Sequence, residues 1–327
     1  MSENNVPPAS NKEQSRGLHV VFGTGPVGLA VADELLRRGE RVRLVNRSGK
    51  AAAPEGVVVV GGDATDEIFA REASVGATVV YFALNPPYHQ WPELFPSLQE
   101  GVLEGAASAG ARLVAMENVY MYGPNGGRPL TEDLPYAPGT RKGEVRARMS
   151  RELFAAHDAG KVRVTAGRAS DFFGPRVTDS AAGETIFGRA VAGKAAQVVG
   201  DPELPHTYTY APDVGKGLVI LGEREEALGR PWHLPGPETV STRRFVEMAF
   251  EETGGEFKMQ RAPRVLARVL GLFNPAMREL VEMLYEFEEP FVLDHSAFAQ
   301  EFGDHATPLG EAIRQTVYWY RKRQIKK

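Results

Sequence analysis

Residues 18–28 of the chain read LHVVFGTGPVG, and this stretch decides the fold. The apolar run over 18–22 predicts a buried strand that leads directly into a glycine-rich loop. A helix is predicted to follow, because Val27, Val31 and Leu35 recur on one helical face. The order of strand, glycine loop and helix is typical of the unit that binds the pyrophosphate of a dinucleotide.

Each glycine of the pattern G-x-G-x-x-G has its own physical purpose. Gly23 permits the tight turn, Gly25 lets a pyrophosphate approach the backbone, and Gly28 lets the helix pack close to the strand. Pro26 and Val27 begin the helix, whose N-terminus offers free N–H groups and a partial positive charge to that anion. The alternative is a glycine-rich turn with a purely structural role.

The first half of the chain alternates between short apolar runs and segments of helical length. Continuously apolar strands that alternate with helices predict a parallel sheet covered on both faces, that is, a Rossmann-type, doubly wound α/β fold. The predicted strands are 18–22, 41–45, 57–60, 78–83, 112–116 and 162–167, and the helices between them include 26–38, 65–73, 92–109 and 141–159.

The pattern changes after Gly174-Pro175, where short strands, turns and helices follow one another. We therefore predict a disordered tail over 1–16, a NAD(P)-binding Rossmann domain over 17–175 and a smaller C-terminal α/β domain over 176–327. That last part is mainly a substrate domain, with some segments returning to the Rossmann sheet. An amphipathic helix over 263–285 is predicted to be a core or lid helix, with a membrane-surface helix as the alternative.

Composition excludes several classes of protein. The 327 residues carry a formal charge of −4, which leaves no basic footprint for nucleic acid. The chain has no cysteine, which excludes disulfides, thiolate metal sites and a cysteine nucleophile, and its seven scattered histidines predict no metal site. No apolar run is long enough for a membrane span, and the polar N-terminus does not resemble a signal peptide, so a cytoplasmic protein is expected.

The end of the second strand predicts which dinucleotide binds. An acidic residue there would hold the ribose hydroxyls of NAD, whereas this chain has Asn46-Arg47-Ser48. No carboxylate repels a 2′-phosphate, and a guanidinium can bind it, so NADP is favoured over NAD. The alternative is that Arg47 is only a surface arginine. Downstream, Asp63 of Gly62-Asp63-Ala64-Thr65 could accept from the adenine amino group or cap the helix over 65–73.

Together these features resemble the extended or atypical short-chain dehydrogenase/reductase superfamily, and specifically its NAD-dependent epimerase/dehydratase-like family. The resemblance covers about residues 17–245. Besides the glycine loop it rests on Gly62–Thr65, Tyr81-Phe82-Ala83, Val119-Tyr120-Met121-Tyr122-Gly123-Pro124, Pro129-Leu130-Thr131-Glu132-Asp133, Arg168-Ala169-Ser170-Asp171-Phe172-Phe173-Gly174-Pro175 and the segment 206–214.

The resemblance implies a C-terminal domain that closes over a small-molecule substrate and hydride transfer to or from a nicotinamide. It also implies cofactor contacts from Ala64 and from Ala83, Leu84 and Asn85, and a homodimer that packs helices 92–109 and 141–159. In such families a Tyr-x-x-x-Lys pair moves the proton, and a Ser or Thr after the fifth strand bonds the substrate oxygen.

This sequence departs from the family pattern at each of those positions. Glu117 or Asn118 stands where the hydroxyl residue would be, Lys142 takes the tyrosine place, and Arg146 takes the lysine place. The literal match, Tyr318…Lys322, lies in the last helix, far from the sheet. Because Lys142 and Arg146 share a helix face, their repulsion would lower the pKa of the lysine and make it a usable acid. Arg146 could then hold the ribose or a substrate anion. The alternative is that both are surface charges.

Other side chains could take part in the reaction. Tyr120 and Tyr122 follow the fifth strand, and Tyr88 and His89 lie in a proline-rich loop after the fourth. Tyr120 and Asn118 join Lys142 and Arg146 as catalytic candidates, and Tyr88, Glu117 and Phe173 are candidate substrate contacts. The alternative for the aromatic residues is simple packing.

Three functional hypotheses follow. The favoured one is an NADP-dependent oxidoreductase of a small carbonyl, sugar-like or alicyclic substrate, with a non-standard acid. The second is a sensor or regulator that binds NADP(H) without turnover. The third is an NAD-dependent nucleotide-sugar epimerase or dehydratase, which the missing Tyr-x-x-x-Lys and the Asn46-Arg47 pair oppose.

Overall fold

The computed structural model describes residues 17–262 and 281–325. Its strands are β1 (Leu18–Phe22), β2 (Arg41–Asn46), β3 (Val58–Gly61), β4 (Ala77–Phe82), β5 (Arg112–Glu117), β6 (Arg163–Arg168), β7 (Asp171–Phe173), β8 (Ala196–Val198), β9 (Pro205–His206), β10 (Tyr208–Tyr210), β11 (Pro231–His233), β12 (Val240–Ser241) and β13 (Met259–Arg261). Its α-helices are α1 (Pro26–Arg37), α2 (Glu67–Ser74), α3 (Trp91–Ser108), α4 (Arg141–Asp158), α5 (Arg189–Val191), α6 (Ala211–Glu223), α7 (Thr242–Thr253), α8 (Ser296–Phe302) and α9 (Leu309–Ile325).

Seven strands form one parallel sheet in the order β3-β2-β1-β4-β5-β6-β11. The order reverses between β1 and β4, so the connections that leave these two strands run to opposite sides. In such sheets ligands bind outside the carboxyl ends of the strands at this reversal. The predicted doubly wound α/β fold is confirmed, and its switch point lies at the glycine loop.

Helices cover both faces of the sheet because the strands are apolar on both. Val20 and Phe22 belong to the core under α3 and α4, whereas Val21 belongs to the core under α1 and α6. Successive side chains of a strand point to opposite faces, so a strand buried on both sides is mostly apolar. The buried polar exception in β1, His19, lies 3.2 Å from the Tyr81 hydroxyl. Two of these elements come from the second half of the chain. Helix α6 packs on the same face as α1, and strand β11 is the last strand of the sheet beside β6.

The remaining C-terminal elements have a core of their own. Side chains from α7 and α9 pack there around Phe173, Phe187 and Tyr210. Three two-stranded pairings, β10-β7, β12-β9 and β13-β8, join this part together. No helix within residues 17–262 and 281–325 has the length and apolar character needed to cross a membrane.

Some predicted elements differ from the structure. The helix predicted over 65–73 begins at Glu67, because the Asp66 carboxylate accepts from the N–H groups of Ile68 (2.9 Å) and Phe69 (3.4 Å) and so caps it. The strand predicted over 206–210 is divided into β9 and β10. Most of the helix predicted over 263–285, and the predicted tail over 1–16, lie outside the described residues, and residues 284–287 form a 3₁₀ turn.

Candidate functional site

The three glycines of the loop differ in what surrounds them. Gly23 has φ +119°, and a Cβ on it would overlap the carbonyl of Ala83. A Cβ on Gly28 would overlap the carbonyl of Gly23, whereas one on Gly25 would meet no heavy atom within 4 Å. Gly23 and Gly28 are therefore required by the packing of the protein itself. The backbone at Gly25 faces open space.

The residues at this loop fit a dinucleotide. Gly25 is the N-cap of α1 and supplies no side-chain cap, and Pro26 occupies the first turn. The first N–H groups of a helix have no partner within the helix and attract an anion. Gly25, Pro26, Val27 and Gly28 would hold the pyrophosphate there, and the bound dinucleotide would supply hydride chemistry.

The end of β2 is tied to the glycine loop by one side chain. The Asn46 amide donates to the Thr24 hydroxyl and to the Lys50 carbonyl, both at 2.8 Å, and accepts from the N–H of Gly49 at 2.7 Å. The side chains of Arg47 and Ser48 are exposed. Asn46 thus fixes the turn, while Arg47 extends from it into solvent.

Asp63 does not cap a helix, so that alternative was wrong; Asp66 has that position. The Asp63 carboxylate instead accepts from the N–H of Thr65 at 2.9 Å and from the Thr65 hydroxyl at 2.8 Å. These bonds, with the guanidinium of Arg47 nearby, hold the pKa of Asp63 below its ordinary value. Asp63 is therefore a carboxylate on the rim beside Arg47, and its neighbour Ala64 is buried.

The loop after β4 lies against the glycine loop. The N–H of Ala83 donates to the carbonyl of Phe22 at 2.8 Å, which extends the β1–β4 pairing by one residue. Leu84 and Asn85 follow, and the chain then turns at Tyr88. The hydroxyl of Tyr88 lies 3.0 Å from that of Tyr120, so the loops after β4 and β5 meet at this edge of the sheet.

Lys142 is enclosed within this group of side chains. Only 2% of its surface is exposed, so the interpretation as a surface charge was wrong. Its Nζ donates to Glu282 Oε2 and its backbone N–H donates to Glu282 Oε1, each at 3.0 Å. The same Nζ lies 5.0 Å from the centre of the Tyr88 ring. Although burial opposes ionisation, the hydrogen bonds from Lys142 hold the pKa of Glu282 below its ordinary value.

Arg146 has a different environment from Lys142, four residues away. Arg146 is also buried, and its guanidinium lies over the Phe95 ring. Its Nη2 donates to the carbonyl of Met116 at 3.3 Å and lies 3.6 Å from Glu117 Oε1. Burial lowers the pKa of Arg146. Because the side chain turns inward to the end of β5, the predicted contact with the ribose or a substrate anion is replaced by internal bonds.

Glu117 is also enclosed, and its ion pairs with Arg168 and Arg146 take the place of the substrate contact predicted for it. Its Oε2 accepts from Arg168 Nε at 2.9 Å and from the Ser150 hydroxyl at 3.2 Å. Arg168 donates further to the hydroxyls of Tyr122 and Tyr136. We define the buried polar network as Glu117, Arg168, Ser150, Tyr122 and Tyr136, which join β5, β6, α4 and the loop after β5.

Sequence reasoning missed the structural part that Arg168 and Ser150 play in this network. A signal was available: Glu117 ends β5 and Arg168 ends β6, each a charge at the close of an apolar strand. Adjacent parallel strands place such residues side by side, and the two are register partners.

Tyr122, Phe173 and Asn118 have mainly internal partners. The Tyr122 hydroxyl lies 2.8 Å from His233 Nε2 and 2.6 Å from Arg168 Nη1, which leaves it inside the network rather than at the cofactor edge. Phe173 is fully buried among aromatic rings, so the substrate contact predicted for it is replaced by packing. Asn118 accepts from the N–H of Tyr120 at 3.3 Å and so holds the turn that carries Tyr120.

Tyr120 lies at the open edge of the sheet, between the network and the loop of Tyr88. Burial is the main cause that raises the pKa of Tyr120 well above its ordinary value, and the Tyr88 hydroxyl and the carboxyls of Glu286 and Asp171 add to it. Tyr120 is therefore a neutral hydroxyl. The acidic residues at this edge, Asp171, Glu282 and Glu286, were not predicted as site residues, because they come from two distant parts of the sequence.

The comparisons agree with this geometry. No curated protein sequence is significantly similar to the chain. UDP-glucose 4-epimerase from Thermotoga maritima, solved with UDP-glucose, has 16% identity and a TM-score of 0.78 over 94% of this chain and 99% of its own. UDP-glucuronic acid 4-epimerase from Bacillus cereus, solved with NAD, has 15% identity and a TM-score of 0.74, and the match covers 95% of this chain and 100% of its own.

A dTDP-glucose 4,6-dehydratase from Streptomyces venezuelae, solved with NAD and TYD, has 16% identity and a TM-score of 0.75, covering 94% of this chain and 98% of its own. At such identities these structures establish the shared fold. The sequence itself matches the model of the NAD dependent epimerase/dehydratase family over residues 20–234. With a glycine loop that fits a dinucleotide and a family match over about two thirds of its length, the chain belongs to the NAD-dependent epimerase/dehydratase family of enzymes.

Proposed function

We propose that this protein is an NADP-favouring oxidoreductase that transfers hydride to or from a small carbonyl, hydroxyl or sugar-like substrate. The observation that carries the proposal is the meeting of two features at one edge of the sheet. The open backbone at Gly25 begins the helix that would hold the pyrophosphate, and Lys142, Tyr88 and Tyr120 lie together at the carboxyl ends of β4 and β5. Polar groups with exchangeable protons at that edge are what a hydride-transfer site requires.

The preference for NADP is supported by the residues after β2. Arg47 is exposed beside the glycine loop, and Asn46 stands where an acidic residue would bond the ribose hydroxyls of NAD. Arginine binds phosphate through two parallel N–H groups, which suits a 2′-phosphate. The similar structures from Bacillus cereus and Streptomyces venezuelae contain NAD, so this preference sets the chain apart from them.

The site proposed here works without a Tyr-x-x-x-Lys pair. Lys142 occupies the tyrosine place, and its Nζ lies 5.0 Å from the centre of the Tyr88 ring. Its part in the reaction is to stabilise negative charge that develops on the substrate oxygen or on a neighbouring acid. Arg146, in the lysine place, supports the end of β5 from within.

Nucleotide-sugar epimerisation or dehydration is the second candidate. It is favoured by the ligands of the similar structures, which include UDP-glucose and, in a UDP-N-acetylglucosamine 4-epimerase from Methanobrevibacter ruminantium, UDP-N-acetylmuramic acid. An epimerase would retain its dinucleotide through the catalytic cycle. An oxidoreductase of a separate carbonyl substrate would release the dinucleotide after each turnover.

Calorimetric titration of the purified chain with NADPH and with NADH tests the proposal. We expect NADPH to bind the wild type more tightly, and Arg47→Ala to weaken NADPH binding about 10- to 100-fold while leaving NADH unchanged. Lys50→Ala, which removes an exposed cation from the same turn, serves as the matched control. Equal affinity for both dinucleotides would reject the NADP preference. If neither dinucleotide binds, the proposed oxidoreductase function is rejected. Binding without conversion of any carbonyl would favour a regulator.

The homodimer that we propose packs α3 and α4 of one subunit on those of a second. The outward residues Glu93 and Glu100 on α3 are acidic, whereas Arg148 and Arg151 on α4 are basic. Contacts between exposed opposite charges weaken as salt screens them. Sedimentation should therefore detect a dimer at low ionic strength that dissociates at 1 M NaCl. A monomer at every ionic strength would reject it.

A further inference from the structure

A short segment crosses the carboxyl edge of the sheet and is fixed at both ends. At one end Glu282 accepts from the backbone N–H and from Nζ of Lys142, at 3.0 Å each. At the other end the Phe287 ring stacks on His206 with centroids 4.8 Å apart, and the Phe287 carbonyl accepts from the N–H of Asp201 at 2.7 Å. The segment thus spans from α4 to β9, over the loops that follow β5 and β6.

Glu286 lies within this segment, in the 3₁₀ turn Leu284–Phe287. Only 3% of its surface is exposed, and its Oε1 has no hydrogen-bond partner among residues 17–262 and 281–325. A buried carboxyl oxygen without a partner costs free energy that the fold must offset elsewhere. Such an oxygen at the edge where ligands bind is suited to a ligand that supplies the missing hydrogen bond.

The charges around Glu286 are mostly acidic. Burial and the carboxylate of Asp171 raise the pKa of Glu286 well above its ordinary value, and Lys142 acts in the opposite direction. Asp171 itself is held by His206, 2.8 Å from its Oδ2. Tyr120 and Tyr285 also lie within reach of the charge on Glu286, and burial keeps both phenols neutral by raising the pKa of each.

Among the groups at this edge, Glu286 is a carboxyl group that burial favours in its neutral form. The phenol of Tyr120 holds its proton too tightly, and the ammonium of Lys142 is engaged by the Glu282 carboxylate. A carboxylic acid kept neutral by its surroundings can donate a proton at neutral pH and take it back from the product.

We propose that Glu286 is the catalytic acid and base of the hydride-transfer reaction proposed above, on which this assignment rests. In the reducing direction, the reduced dinucleotide held at the glycine loop would supply hydride to the carbonyl carbon, and the C=O bond becomes a single bond. The carbonyl oxygen takes the proton of the Glu286 carboxyl group, so that the products are an alcohol, the oxidised dinucleotide and the Glu286 carboxylate. Lys142 stabilises that carboxylate until water returns the proton, and oxidation runs the same steps in reverse.

The first measurement is the infrared spectrum of the full chain at pH 7, which needs no substrate. We expect the C=O stretch of a protonated carboxylic acid in the wild type, its loss in Glu286→Gln, and its retention in Glu301→Gln, a control at an exposed glutamate of α8. If the difference between wild type and Glu286→Gln contains only carboxylate bands, Glu286 is ionised and the assignment is overturned.

The second measurement uses the carbonyl that the wild type reduces fastest with NADPH, chosen from a panel of small aldehydes, ketones and free sugars. We expect Glu286→Gln to lower kcat about 10²- to 10⁴-fold with KM and NADPH affinity within threefold of wild type, and Glu286→Asp to recover part of the loss. Unchanged kcat in Glu286→Gln would reject only the assignment of Glu286. Failure of the wild type to bind NADPH would reject the proposed function instead.

Discussion

The carboxylate of Glu117 and the guanidinium of Arg168 form an ion pair of 2.9 Å, although neither side chain has any exposed surface. The two residues end adjacent parallel strands and are register partners, so the sheet itself brings them together. Arg168 also donates to the hydroxyls of Tyr122, Tyr136 and Ser150. Because Tyr120 lies in the turn that follows Glu117 and β5, the buried polar network supports the edge of the sheet where substrate is proposed to bind.

Breaking this pair should destabilise the protein strongly. We expect Arg168→Met to cost about 3–5 kcal/mol of unfolding free energy, because it leaves the Glu117 carboxylate buried without its main partner. The double variant with Glu117→Met should recover only part of that loss, because it leaves the buried Arg146 guanidinium without the Glu117 carboxylate. Urea denaturation measures both, and Arg163→Met, at the exposed start of the same strand, is the control. A cost below 1 kcal/mol for Arg168→Met would contradict this interpretation.

Two glycine substitutions in one loop should have opposite effects. A Cβ on Gly25 meets open space, so Gly25→Ala should keep the thermal stability within a few degrees and weaken NADPH binding at least tenfold. A Cβ on Gly28 overlaps the carbonyl of Gly23, so Gly28→Ala should lower the melting temperature markedly. Thermal denaturation and NADPH titration separate the two. Normal NADPH affinity in Gly25→Ala would show that the loop does not hold the dinucleotide.

Lys142→Met should abolish turnover without abolishing cofactor binding. The substitution removes the ammonium that faces Glu282 and the Tyr88 ring, and we expect kcat to fall at least 100-fold with NADPH affinity kept. Lys194→Met, which removes an exposed ammonium away from the site, should behave as wild type. Steady-state kinetics and calorimetry decide between these outcomes, and turnover close to wild type in Lys142→Met would remove this residue from the mechanism.

Acidification should destabilise the protein because two buried histidines, His19 and His233, and the partly buried His305 are held in neutral form. Burial, with positive charge nearby, lowers the pKa of His19 to about 4 and that of His233 to about 3, and burial lowers that of His305 to about 4. Between those values and about 6.5 the unfolded chain binds protons that the folded chain does not. The contribution of these histidines to the free energy of unfolding is therefore fully present above about pH 6.5 and decreases as the pH falls.

Each of the three histidines should contribute a loss of about 1.4 kcal/mol per pH unit in that window. Urea denaturation at pH 7.5, 6 and 5 measures the slope. His233→Gln should reduce the slope, whereas His89→Gln, an exposed histidine, should not change it. An unfolding free energy independent of pH over this range would mean that these imidazoles are protonated in the folded protein.

The sheet and the cofactor loop could be predicted from the sequence because their causes are local. The strand of residues 18–22 is apolar on both faces, and the spacing of Gly23, Gly25 and Gly28 follows from backbone clearances within one turn. The turn after β2 could be placed for the same reason. The preference for NADP that this turn predicts for the protein stays a prediction, which the titration with Arg47→Ala tests.

The site itself was less predictable, since helical spacing gives the face of a residue but not its depth or its partner. Lys142 and Arg146 are equivalent by spacing, yet one bonds Glu282 and the other turns inward to Met116. Glu117 was expected at the surface of a substrate cleft, but Arg168 on the neighbouring strand encloses it.

Periodicity and glycine spacing in the chain were enough to determine the doubly wound sheet and the loop at its switch point, because both depend on neighbours a few residues apart. The tertiary structure decided which charged groups meet at that edge, since Glu282 reaches Lys142 across 140 residues of sequence and Glu286 and Asp171 arrive from separate elements. Burial and electrostatic interaction act through space, so the depth, partner and protonation of these groups follow only from the packed molecule.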